Sequence, residues 1–189
     1  MSRIRLKLKS VTEIVGTDEV GLLILVDEDE KRQIAVTCNR VTLNQFQMRL
    51  AGRPLPSMLS ETLWQVVSQM VDGSFDLVIY GLSEGHYKAV LYNDVTFDRF
   101  PIPASDAVLL SLISNVPLYI ETKLMEIQSS PYDASATGMS IPVNTISNEM
   151  LNKALEKAVE DENYELASYL RDEQRRRSNE SSKVDNNSR

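Results

Sequence analysis

"VGLLILVDEDEKRQIAVTC", residues 20–38, decides the fold class. Val20 to Val26 form an apolar run, Asp27 to Glu30 an acidic turn, and Gln33 to Cys38 a second β-rich run. Two such runs joined by a short polar turn predict an antiparallel hairpin. Upstream, Ile4, Leu6 and Leu8 alternate with Arg and Lys, the period-two signature of a half-buried strand. Downstream, "NRVTLNQFQMRLAG" (39–52) has Val41, Phe46 and Leu50 near helical spacing, with Asn39 as N-cap and Gly52 as stop. "RPLPSMLSETLWQVVSQMVDG" (53–73) predicts a second helix, with Ser60 as the cap candidate, a stripe of Leu59, Leu63, Val66, Val67 and Met70, and Gly73 as terminator.

The order strand, strand, strand, helix, helix then returns. "SFDLVIYGL" (74–82) and "YKAVLYND" (87–94) are strands around the turn "SEGH", and "VTFDRFPI" (95–102) is a third. "ASDAVLLSLISNV" (104–116) is a helix that Ser105 can cap, with Asp106 near its positive end. "LYIETKLMEIQ" (118–128) is a short strand turning into a helix. A β3α2 unit used twice, with hairpin-linked strands, predicts an α+β domain with a mainly antiparallel sheet over residues 1–130.

Residues 131–147 are rich in Ser, Pro, Gly, Ala and Thr and read as a linker. Residues 148–177 read as an αα-hairpin. Leu151, Ala154, Leu155, Ala158 and Val159 make one stripe, and Tyr164, Ala167, Tyr169 and Leu170 a second of shifted phase. Asn163 is the expected cap of the second helix, and Arg175, Arg176 and Arg177 sit where its dipole favours cations. So small a hairpin buries little alone and should pair with a copy of itself or a partner. Residues 178–189 are polar and read as a disordered tail.

With 189 residues, 42% apolar and 25% charged, the chain suits one globular domain with an appendage. No apolar run approaches the ~20 residues of a membrane span, and the N-terminus lacks the apolar segment of a secretory signal. A single cysteine, Cys38, excludes an internal disulfide and fits a reducing compartment, so a cytoplasmic location is expected. The net charge of −7 is spread over both parts of the chain. Tight duplex binding draws mainly on phosphate neutralisation, so any nucleic-acid contact here would rest on a local patch. One His and one Cys rule out a structural zinc site. Cys38 and His86 are formally a nucleophile–base pair, but a Cys ending an apolar strand usually packs as a small hydrophobe.

Asp94, Asp98 and Asp106 form the best candidate metal constellation. Carboxylates holding Mg²⁺ or Mn²⁺ stabilise charge at a scissile phosphate. Asp98 and Asp106 would be the ligands, and Arg53, on the stiff loop "GRPLP", the phosphate contact. Each also has a structural explanation: a turn acid, a strand acid, a first-turn helix acid and a surface ion pair. His86 is a turn residue, and Trp64 is a core or dimer contact.

"GRPLPSMLSETLWQVV", "DLVIYGLSEGHYKAVLY" and "SDAVLLSLISNVPLYI", in that order, resemble the bifunctional nuclease (BFN) domain over roughly residues 1–130. The resemblance implies a compact α+β domain, commonly homo-oligomeric, with DNase and RNase activity. "LEKAVEDENYELASYLRDEQ" is similar to the UVR motif of excision-repair nuclease subunits and of some Clp-ATPase partners. That likeness implies protein–protein contact, with a UVR-containing or Clp-type protein, through Leu155, Tyr164, Glu165, Leu170, Arg171 and Asp172. The chain departs from the first family in two places. Family members usually carry Thr-His-Asp after Arg-Pro-Leu, where this chain has Pro56, Ser57 and Met58; an Asp and an Arg usually precede Ser-Asp-Ala, where it has Pro101 and Pro103. Asp98 and Arg99 could supply those charges from a shifted register. Two functions follow: a metal-dependent nuclease built on Arg53, Asp98 and Asp106, or a non-catalytic oligomeric adaptor that recruits through the hairpin.

Overall fold

The computed structural model describes residues 2–13, 20–52, 58–134 and 145–186, with side-chain burial as far as Ser178. The chain divides into two units, Met1–Gly81 with Tyr87–Met139, and Leu82–His86 with Ser140–Arg189. Among the described residues, no helix is long and apolar enough to cross a membrane.

The hairpin read at 20–38 is β2 (Val20–Asp27) and β3 (Arg32–Asn39). Its register pairs Leu23 with Val36 and Leu25 with Ile34. Asp27 closes it by accepting from the Lys31 and Arg32 N–H groups and from Arg32 Nε. β1 (Arg3–Glu13) pairs antiparallel with β2 through a register shift between Leu8 and Ser10. The second meander is β4 (Phe75–Ser83), β5 (His86–Asn93) and β6 (Arg99–Pro103). Glu84 and Gly85 both have positive φ between β4 and β5, as a tight type I′ hairpin turn requires. β7 (Leu118–Glu121) lies between the two meanders, parallel to β4 and antiparallel to β1. β8 (Ser130–Pro131) adds a short edge to β3. The sheet order is β6-β5-β4-β7-β1-β2-β3-β8. The α+β class stands, with β7, between the helix Ala104–Ser114 and the helix that follows it in sequence, as the strand that joins the two meanders.

Cross-strand partners share a face. Leu77, Leu118 and Leu6 stand side by side across β4, β7 and β1, and Leu8, Leu25 and Ile34 across β1, β2 and β3. α1 (Arg40–Leu50) docks on this face. A Cβ on Gly21 would lie 2.6 Å from Leu43 Cδ1, so the glycine lets the helix approach. Leu43 and Phe46 are fully buried there. Leu22, Ile24 and Val26 on the other face of β2 are buried too, which is why this strand reads as an unbroken apolar run.

Helix starts divide by mechanism. Asn39 caps α1, its Oδ1 accepting from the Thr42 N–H at 2.9 Å. α2 (Leu59–Met70) starts after Met58, so Ser60 lies inside the helix and donates to Glu61 instead of capping. α3 (Ala104–Ser114) starts after Pro103, so Ser105 is not its cap either. Pro103 holds the extended backbone of a cap position (φ −56°, ψ 141°), and the helix begins two residues before Ser105 as a cap would allow. α3 ends on Asn115 in the left-handed conformation, which Asn tolerates. α4 (Thr122–Gln128) follows β7 and buries Met125. β6 begins at Arg99, not Val95: the Asn93 side chain accepts from the Val95 and Thr96 N–H groups and makes Asp94–Phe97 a turn. Pro101 and Pro103 fit because β6 is an edge strand, where a missing N–H costs no ladder bond.

The second unit is an αα-hairpin of α5 (Asn148–Glu160) and α6 (Tyr164–Asn186). Ser147 caps α5, and Asn163 Oδ1 accepts from the Leu166 N–H at the start of α6. Ile146, Leu151, Ala158, Ala167 and Leu170 form its core. α6 does not stop at Arg177. No Gly or Pro follows, and the helix continues to Asn186 through nine of the residues read as tail.

Candidate functional site

The three candidate acids of the domain do different jobs. Asp94 binds Ser74 twice, accepting from its N–H at 2.7 Å and its hydroxyl at 2.6 Å. Those bonds hold its carboxyl below the ordinary carboxylate range. Asp98 is exposed in the turn before β6, its carbonyl accepting from the Asn93 N–H at 3.1 Å. Asp106 sits beyond the far end of β6, in the first turn of α3. Five strand residues at roughly 3.3 Å each put roughly 16 Å of extended chain between Asp98 and the helix start, whereas oxygen ligands of one divalent ion lie within about 2.6 Å of it. The structure therefore does not bring Asp98 and Asp106 together. Among the described residues, no group of three or more His, Cys, Asp or Glu is placed to hold a metal ion. Arg53 lies outside the described residues.

Asp106 instead lines a groove of about 520 Å³ between α2 and α3. Leu59, Leu63, Trp64 and Val67 form one wall, Leu109, Leu110 and Ile113 the other, and Leu91 of β5 and Ile102 of β6 the base. Met58, Gln45 and Ser60 complete it. Trp64 is fixed edge-on to Phe75, with ring centroids 5.6 Å apart. Among the described residues Asp106 is the sole ionisable one that lines the groove, and no described group bonds to its carboxylate. Burial in this apolar setting pushes its carboxyl above the ordinary value of 3.8. The nearby Glu61 is already engaged by Arg49.

The formal Cys38–His86 pair loses its nucleophile. Cys38 is buried, and burial pushes its thiol up to about 11. His86 is exposed, with Nδ1 3.0 Å from the Glu84 carbonyl oxygen.

The family model described as the bifunctional nuclease domain matches residues 23–133, well over half of the chain. The chain belongs to the bifunctional nuclease domain family. The UvrB/uvrC motif model matches residues 149–179. None of the curated proteins compared matches the chain. In this BFN protein the groove is assembled by residues inside the matched span, and the two edge-strand prolines border it through Ile102 between them.

The hairpin of the BFN protein sorts its six expected contact residues into two kinds. Leu170 is buried in the hairpin's own core and Leu155 packs against that core. Both hold the helices together. Tyr164, Glu165, Arg171 and Asp172 are exposed. Tyr164 and Tyr169 are 69% and 61% exposed, so the outer face is aromatic. Arg177 was read as one of three dipole-facing cations, but it is only 5% exposed. Its Nη1 donates to the Ile146 carbonyl and to Asn148 Oδ1, each at 2.8 Å, and its Nε donates to Glu173 Oε1 at 2.8 Å. The signal was present in the spacing: Arg177 is seven residues after Leu170 and so lies on the same helical face.

Proposed function

We propose that this protein is a recruiting member of its family, with the BFN domain as a self-associating scaffold and the UVR hairpin as the dock for a protein partner in the cytoplasm. The observation that carries this reading is the set of apolar side chains turned outward. Leu59 and Met70 on α2 are 72% and 79% exposed, and the hairpin presents Tyr164 and Tyr169 beside Arg171. Aromatic and Arg side chains are the usual anchors of protein interfaces. The partner class this reading expects is a UVR-containing protein or a Clp-type ATPase. Pull-down from cytoplasmic extract with the full chain, and with a chain lacking 148–177, tests it. The full chain should recover a partner that the shortened chain does not, and equal recovery ends the proposal.

A second reading is favoured by the family match and by the carboxylate of Asp106, which no described group bonds: the protein cleaves nucleic acid itself, with Mg²⁺ or Mn²⁺. It predicts cleavage of single- or double-stranded substrates above the level of Asp106→Ala. Equal rates for the two proteins remove it.

A further inference from the structure

The groove between α2 and α3 combines three properties that the readings above do not use. Its volume of about 520 Å³ lies in the range of small-molecule sites. Its walls are aliphatic apart from Trp64, Gln45, Ser60 and Asp106. The one charge among its described lining residues is a carboxylate that no described group neutralises. A carboxylate taken partly out of water without a partner is a standing cost to the folded protein, and a ligand that supplies the missing cation recovers it. The described lining residues include no Lys, Arg or His, so a phosphate or carboxylate ligand would meet only repulsion from them. The indole of Trp64 adds a surface that favours a cation over a neutral group.

We propose that this groove binds hydrophobic organic cations, compounds with an aryl or alkyl body and an ammonium or guanidinium head. The body lies against Leu63, Trp64, Leu109 and Ile113, and the head pairs with Asp106. This goes beyond the recruiting function: it concerns a small ligand of the groove, not a protein partner of the hairpin.

Trp64 is the single tryptophan of the chain and lies in the groove wall, so its emission reports occupancy directly. The probes are three compounds with one body: 4-phenylbutylammonium, 4-phenylbutanol and 4-phenylbutanoate. The full chain should give a saturable change in Trp64 emission with the ammonium compound, at least tenfold tighter than with the alcohol. The carboxylate should bind more weakly still. Asp106→Asn should bind the ammonium compound and the alcohol about equally, with alcohol binding retained. Asp106→Ser serves the same comparison should the first variant fold poorly, as judged by circular dichroism. Equal binding of ammonium and alcohol by the unmodified protein overturns the proposal, as does a preference that survives both substitutions or the absence of saturable binding by any of the three.

Discussion

Asp27 is 6% exposed, yet its carboxyl titrates below the ordinary carboxylate range. Burial alone would raise it; the Arg32 and Lys31 N–H groups and the Arg32 guanidinium outweigh that burial. Asp106, less buried but with no such donor among the described residues, moves the other way. The two shifts have opposite consequences for stability. Asp27 has a folded-state pKa below its unfolded value of 3.8, so it contributes stability above pH 3.8 that is lost as pH falls through the folded value. Asp106 has a folded-state pKa above 3.8, so ionising it as pH rises from 3.8 through the folded value costs stability. Hydrogen bonds to charged groups contribute about 1.5–3 kcal/mol. Asp27→Asn should therefore lower unfolding free energy in urea by about 2 kcal/mol at pH 7 and by clearly less at pH 2.5. Asp106→Asn should raise the melting temperature at pH 7 without ligand, with the gain gone by pH 3. Equal effects of either substitution at both pH values would show that the charge is not what matters.

At the scale of elements, α6 shows how a helix that is marginal alone becomes stable in a pair. Leu170 is 2% exposed and closes the core formed by Ile146, Leu151, Ala158 and Ala167. Truncating a buried Leu costs about 2–5 kcal/mol, a large share of what so small a hairpin holds. Leu170→Ala should therefore strip hydrogen-exchange protection from α5 and α6 while β2 and β3 keep theirs; protection lost evenly along the chain would show that the hairpin has no core of its own. Elements of this kind were legible where their cause is local. The Asn39 and Asn163 caps, the 20–38 hairpin and the stripe of α5 each depend on residues a few positions apart. The Ser60 and Ser105 caps were misread because a helix start depends on where the incoming chain turns, which Met58 and Pro103 decide. The parallel pairing of β7 with β4 was not legible, since it joins residues about 40 apart that carry no mutual signal. The groove was hidden for the same reason. Its walls are amphipathic stripes that each looked like ordinary core, and Asp106 acquires its setting only when α2 and α3 meet.

At the scale of the whole molecule, the feature that most needs a counterpart is the exposed stripe of α2, whose Leu59 and Leu63 also edge the groove. Leu59, Leu63, Val66 and Met70 follow one another at spacings of four, three and four, the repeat of a coiled-coil seam, and all four are exposed. The one charged residue of the helix, Glu61, is held by Arg49, so no free charge interrupts the seam. The same stripe on a second copy is a geometric match, because a two-fold interface places like residues opposite one another. Burying an exposed Met or Leu side chain contributes about 1.5–3 kcal/mol, and the symmetry counts each contribution twice. Met70 and Val66 line no part of the groove, so they test self-association alone. Met70→Glu would set two carboxylates against each other across the axis and weaken self-association at least tenfold. Sedimentation velocity over a range of protein concentrations measures this: the unmodified chain should sediment increasingly as a larger species while the variant stays a monomer to higher concentration. Indistinguishable profiles would remove α2 as the contact and leave the recruiting reading to rest on the hairpin.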